Sequence, residues 1–199
     1  MQLPELGVLK EYIAIPKIFH SFATGKPFER CIVCEKKLQE DGTQYIIEKS
    51  FRQYQGYGVS DVIYEYAMCI HCTVAMQQAL SEDSLAVIDN YLKSRVNLVE
   101  RRKHLLNKYR TNINGWLSTC LISGKPASES AEYQIYGHCD GGDLLFTYLP
   151  YMISADALED LNDLISPETR DVLNDFIDNH FGLPPQYKEL IKSRKSVII

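Results

Sequence analysis

The hydrophobic positions of this chain follow two rhythms, and both recur. After Cys34, the stretch TQYIIEKSFRQYQGYGV is rich in Tyr, Ile and Phe and closes on glycines. That pattern predicts strands or a hairpin, with Asp41-Gly42 as a turn. From Cys72, TVAMQQAL suits a short helix. Ser81 to Ser84 then form a cap cluster ahead of LAVIDNYLKSRVNLVERRKHLLNKY. There Leu85, Ile88, Leu92, Val96 and Val99 keep helical spacing and predict one long helix. Upstream, Leu9, Tyr12, Ile13 and Phe19 would share a face, but Pro16 breaks or kinks any helix there. TNINGW at 111–116 reads as a linker or turn.

The second half repeats the first in order. FERCIVC (Phe28 to Cys34) resembles LSTCLIS (Leu117 to Ser123), and Tyr45-Ile46-Ile47 resembles Tyr133-Gln134-Ile135. YAMCIHC (Tyr66 to Cys72) lies on YLPYMIS (Tyr148 to Ser154). SEDSLAVIDNYL (Ser81 to Leu92) lies on SPETRDVLNDFI (Ser166 to Ile177), pairing Val87 with Val172, Ile88 with Leu173 and Tyr91 with Phe176. Such internal periodicity predicts a duplicated architecture. On this alignment Cys31, Cys34, Cys69 and Cys72 correspond to Cys120, Ser123, Tyr151 and Ser154. The second copy would keep the shape with one thiol of the four and fill the site with side chains. The expected fold is α+β, with one unit over 1–110 ending in the long helix and a second over 111–199 ending in acidic helices and a tail.

The candidate chemistry sits in two C-x-x-C pairs, Cys31/Cys34 and Cys69/Cys72. Each pair can present two thiolates on one side of a tight knuckle, and two knuckles together supply the four tetrahedral ligands of a structural Zn²⁺. Lys36 and Lys37 offset part of the negative charge of such a site. Cys69 and Cys72 would stand at a helix N-terminus, which favours anions. His71 adjoins Cys72 and is expected to face outward. A redox role asks for a single pair in a thioredoxin-like βαβ context, which neither pair has. The order of knuckle, hairpin and helix over about residues 28–80 resembles the treble-clef zinc finger. That resemblance implies one structural zinc per chain held by Cys31, Cys34, Cys69 and Cys72. Some treble-clef proteins are nucleases that need histidines on the hairpin and helix, but residues 43–66 contain none.

Charge narrows the partners. The chain carries a net charge of −5, which argues against bulk affinity for nucleic acid. Residues 1–110 hold 15 basic and 13 acidic side chains, whereas residues 111–199 hold 6 and 13. The segment from Lys93 to Arg110 has seven Lys or Arg against one Glu, and Asp156 to Asp178 has eight acidic residues and one Arg. The simplest expectation brings these two stretches together, within the chain or between subunits; nucleic-acid binding through residues 93–110 ranks second. No apolar run approaches the roughly eighteen residues of a membrane span. The opening MQLPELGVLKEY lacks a signal peptide's order, so a soluble cytoplasmic protein is expected.

One further segment, GHCDGGD (Gly137 to Asp143), offers His138, Cys139, Asp140 and Asp143 as metal ligands or as nucleophile and base, with Cys120 as a further contributor, and His138, Cys139 and Asp140 as an enzymatic alternative. Gly and Asp dominate turns for conformational reasons, so a water-facing hairpin turn is the preferred reading. The tyrosines clustered at Tyr45, Tyr54, Tyr57, Tyr64 and Tyr66 suit an interface or a strand core. The expected function is non-enzymatic binding of another protein, with self-association as one form of it and zinc as a staple.

Overall fold

The computed structural model describes residues 11–54, 57 and 59–181. Leu9 and the C-terminal tail at Val197 to Ile199 lie outside them. Six strands form one antiparallel sheet: β1 (Tyr12–Ala14), β2 (Gln44–Tyr54), β3 (Val59–Cys69), β4 (Glu132–Asp140), β5 (Asp143–Leu145) and β6 (Tyr151–Ser154). Among the described residues six α-helices accompany it: α1 (Ile70–Gln78), α2 (Glu82–Arg95), α3 (Leu98–Tyr109), α4 (Ile113–Trp116), α5 (Ala155–Leu164) and α6 (Pro167–Phe181). The architecture is therefore α+β, as expected. Across the sheet the order is β1-β5-β4-β2-β3, and β6 continues the lane of β5 alongside β4.

The centre of the sheet is the antiparallel pairing of β2 with β4, which runs from Gln44 opposite Asp140 to Arg52 opposite Glu132. It crosses the boundary drawn between residues 110 and 111 and joins both halves in one sheet. At its midpoint Glu48 faces Tyr136. Tyr66 pairs with Glu48 on one side, and Tyr151 pairs with Tyr136 on the other. Partners across strands share a face, so Tyr66, Glu48, Tyr136 and Tyr151 form a single rung. Glu48 is 1% exposed and accepts hydrogen bonds from the hydroxyls of Tyr64, at 2.8 Å, and Tyr66. Gln134 links Tyr64 to Tyr136 in the adjacent rung. Burial first, and the Glu48 carboxylate second, push the Tyr66 and Tyr136 hydroxyls well above their ordinary range, so both stay protonated donors. Phe176 and Phe181 of α6 close over Tyr66 at ring separations of 5.3 and 5.9 Å.

The opposite face is covered by the chain's first described segment. Phe19 packs on β4 at Gly137, where any Cβ would come within 2.8 Å of the Phe19 ring. Lys49, 3% exposed, donates to the His20 carbonyl and pairs with Glu65 at 2.9 Å.

Helix starts follow their caps. The Ser81 hydroxyl accepts from Ser84 N–H, and Ser166 does the same for Thr169 N–H. The two caps also bond each other reciprocally. Ser81 N–H donates to Thr169 Oγ1 at 3.0 Å, and Ser166 N–H donates to Ser84 Oγ at 2.9 Å. The Ser81/Ser166 register read from the sequence is thus a physical contact between α2 and α6.

One expectation is corrected and another is narrowed. The long helix over 85–110 is two helices. Val96 is extended, and the Asn97 side chain accepts from Glu100 N–H to start α3 afresh. Of the two readings of TNINGW, linker or turn, the turn stands: Ile113–Trp116 is one helical turn, and Trp116 is 1% exposed. It packs edge-on against Phe146 at 5.0 Å and donates through Nε1 to the Arg110 carbonyl.

The basic segment explains the break between β5 and β6. Residues 146–150, with a cis Leu149-Pro150 bond, interrupt the lane, and carbonyls there need other donors. Arg101 donates to the carbonyls of Tyr148, Pro150 and Trp116, and Arg102 donates to that of Phe146. Burial lowers the Arg101 guanidinium to about 10, which leaves it charged at neutral pH. The basic stretch therefore meets the second half through backbone oxygens at these two arginines. Replacing Arg101 with Met should remove three charge-assisted bonds at once. A loss of about 3 kcal/mol is expected, lowering Tm by about 6–12 °C for a chain of this length. Chemical and thermal denaturation of Arg101→Met would measure it.

Candidate metal centre

The first C-x-x-C is held by its own backbone. Glu35 N–H returns to the Cys31 carbonyl at 3.0 Å, and Cys31 N–H bonds the Lys36 carbonyl at 2.9 Å. Arg30 bridges to Lys37, and Leu38 N–H reaches the Glu29 carbonyl. The turn requires a left-handed residue, and Glu35 takes it at φ 58°. This geometry turns Cys31 and Cys34 to one side. Ile32 N–H then docks the knuckle onto β3 through the Ala67 carbonyl at 2.9 Å.

The second pair arrives from β3. Cys69 ends that strand and is the N-cap of α1, so Cys72 falls in the first helical turn. All four sulfurs lie within 4.8 Å of one another. Cys34 Sγ and Cys69 Sγ are 3.7 Å apart, and the cysteines are unbridged. A disulfide would need about 2.05 Å. A tetrahedron with metal–sulfur bonds of about 2.3 Å has an edge near 3.8 Å. The observed separation fits a bound divalent ion. Around such an ion four thiolates would complete a tetrahedral shell, with no open position for water or substrate.

Exposure is graded around the cluster. Cys31 and Cys69 are buried, Cys72 is half-buried and Cys34 is exposed. Burial raises the Cys31 thiol, but N–H groups of Cys34, Cys69 and Val33 outweigh it and bring the pKa down to about 7. Cys69 N–H lies 3.4 Å from that sulfur. Burial, together with the neighbouring thiols, raises Cys69 and Cys72. Cys31 thus ionises more readily than Cys69 and Cys72, which resist it. A divalent cation reverses that resistance by supplying the charge the sulfurs lack. His71 faces solvent, as expected.

The second half repeats the knuckle with other atoms. Gly124 N–H returns to the Cys120 carbonyl, Cys120 N–H reaches Lys125, and Leu121 N–H docks on the Met152 carbonyl. Gly124 holds the left-handed position at φ 71° that Glu35 holds in the first knuckle. The pairing of Tyr45 with Cys69 is matched by that of Tyr133 with Ser154. Ser154 is the N-cap of α5, as Cys69 is of α1. The expected correspondence of Cys69 and Cys72 with Tyr151 and Ser154 is therefore three residues out of register. Their equivalents are Ser154 and Ala157, because strand pairing and the cap position align the segment, not the resemblance of Tyr66-Ala67-Met68 to Tyr148-Leu149-Pro150. In place of a cluster, the Cys120 sulfur accepts from Ser123 N–H, Ser154 N–H and Ser154 Oγ at 3.3–3.4 Å. These donors hold its pKa down against burial.

The GHCDGGD segment is also redrawn. His138, Cys139 and Asp140 belong to β4, and only Gly141-Gly142 make the turn to Asp143. Cys139 is fully buried, and burial pushes its thiol up to about 12. His138 pairs across the sheet with Ile46 and Leu145, and its Nδ1 lies 3.5 Å from Thr147 Oγ1. Cys120 lies in the second knuckle, and Cys120, His138, Cys139, Asp140 and Asp143 do not assemble as a metal cluster; the cluster among the described residues is the four-cysteine one.

Sequence reasoning missed Glu48 and Arg101. Glu48 was legible only as a charged residue breaking an apolar strand, and Arg101 was hidden inside a run of cations. No protein-family model matches the chain, and no curated protein or solved structure matches it. Among the described residues, no helix is long and apolar enough to cross a membrane.

Metal analysis of the purified chain should give one divalent ion per molecule. Cys34→Ser and Cys72→Ser should each abolish stoichiometric binding. Either substitution, or a strong chelator, should lower Tm by about 10 °C, the shift expected of roughly 4 kcal/mol of linked binding. Unchanged melting of the variants with and without chelator would contradict the assignment.

Proposed function

We propose that this is a zinc-stapled binding protein without catalytic chemistry at the metal, built from two tandem treble-clef-like units of which the second has lost its ion. The observation that carries the proposal is the convergence of the Cys31, Cys34, Cys69 and Cys72 sulfurs within 4.8 Å of one another. Catalytic zinc keeps a position for water, usually beside an acid or base, and four sulfurs exclude one. Soft thiolates in a tetrahedral set suit Zn²⁺ over hard oxygen-seeking ions. The burial of Cys139 with a raised pKa supports the same reading, since a nucleophile needs its thiolate.

The partner in this reading is a protein. The far end of the β2–β3 hairpin carries Tyr54, Tyr57 and Val59, of which Tyr57 is 82% and Val59 56% exposed. Aromatic residues with a polar tip are common anchors at protein interfaces. Nucleic acid is the weaker partner, since Arg101 donates through both terminal nitrogens, and Arg102 through Nε, to backbone carbonyls of the molecule itself.

Two experiments separate the parts of the proposal. The triple variant Ser123→Cys/Ser154→Cys/Ala157→Cys recreates a C-x-x-C pair on each side of Cys120's knuckle. It should bind two zinc ions per chain instead of one, and continued binding of one ion would sink the tandem reading. Affinity capture from the source cell should recover a protein partner that Tyr57→Ala with Val59→Ser weakens at least tenfold in Kd. Tight, salt-resistant binding of oligonucleotides with no protein partner would reverse the ranking.

A further inference from the structure

The four sulfurs differ in access, and that difference suggests how the centre is regulated. Cys34 is exposed, whereas Cys31 and Cys69 are buried. A small oxidant reaches Cys34 first. The Cys69 sulfur lies 3.7 Å from that of Cys34, on the other segment of the junction. Cys31 is placed differently, because its sulfur already accepts the Cys69 N–H.

We propose that Cys34 is a peroxide-sensitive modification site, and that its oxidation closes a Cys34–Cys69 disulfide which takes over the cross-link made by the metal. The inference rests on the metal reading above. The Cys34 thiolate attacks a peroxide oxygen, the O–O bond breaks, and water leaves after protonation, so that Cys34 becomes a sulfenic acid. The Cys69 thiolate then attacks the Cys34 sulfur and expels hydroxide, which leaves as a second water. Two thiolates lose two electrons and hydrogen peroxide gains them. Cys31 and Cys72 alone cannot hold the ion, and it is released.

Two features make this a reversible switch and not a collapse. The new bond joins the same segments that the metal joins, the first knuckle and the end of β3. The second knuckle also stands on hydrogen bonds to Cys120, with Leu121 N–H on the Met152 carbonyl. The first knuckle has the matching Ile32 N–H to Ala67 bond and keeps Cys69 N–H on the Cys31 sulfur. The junction therefore has backbone support that does not depend on the ion.

The test treats the zinc-loaded full chain with stoichiometric hydrogen peroxide in the presence of a chromophoric chelator. One zinc ion should be released per peroxide consumed, with the protein lighter by two hydrogens and its far-UV circular dichroism retained. Fragmentation of the cross-linked peptide should place the bond between Cys34 and Cys69, and dithiothreitol should restore zinc binding. Cys69→Ser should stall with a dimedone-reactive sulfenic acid on Cys34. A Cys31–Cys34 or Cys69–Cys72 bond, sulfinic acid accumulating on Cys34 without a cross-link, or inertness to peroxide would each overturn the proposal. A chain that refuses zinc would defeat the metal reading alone, because the same mapping on metal-free protein still decides the cysteine pairing.

Discussion

The antiparallel contact of β2 with β4 is the constraint on which the molecule depends. It is the longer of two ladders that join the halves among the described residues, nine residue pairs against the three of β1 with β5, and its midpoint sets Glu48 against Tyr136. A carboxylate 1% exposed is costly unless its oxygens are met. Tyr64 and Tyr66 meet them from β3, and Gln134 and Tyr136 extend the network into the second half. A slip of one residue at this seam would turn the whole rung to the other face. The polar belt therefore helps to hold the register that places both knuckles.

From that seam each half builds outward in the same order: strand pair, knuckle docked on the outer strand, helix starting at the docking point. The two knuckles solve one problem by different chemistry. In the first, converging sulfurs would repel as thiolates and call for a cation. In the second, the hydroxyl and N–H groups around Cys120 donate to a single sulfur and need none. Backbone geometry is common to both, down to the left-handed residue, which is Glu35 in one and Gly124 in the other. Side-chain identity alone decides whether a junction of this shape is a metal centre.

The helices complete the pairing. The N-caps of α2 and α6 bond one another reciprocally through Ser81, Ser84, Ser166 and Thr169. The arginines of α3 close the carbonyls left open by the interrupted lane of β5 and β6. A basic run expected to meet the acidic stretch is thus in part a fastening to backbone oxygens, because a guanidinium can satisfy several oxygens at once.

The amino-acid sequence by itself determined the four metal-ligand candidates, the order of knuckle, hairpin and helix, and the Ser81/Ser166 correspondence. These depend on local spacing: two residues between thiols, alternation along a strand, a hydroxyl ahead of a helix. Tertiary structure decided what spacing cannot carry. It moved the equivalents of Cys69 and Cys72 to Ser154 and Ala157, because strand pairing sets the register. It split the long helix at Val96, where Asn97 offers a cap that outcompetes continuation. It placed Cys139 in the core and turned Arg101 inward, because burial and hydrogen-bond partners come from segments distant in the chain. Composition could count those side chains, but only the fold could say what each one faces.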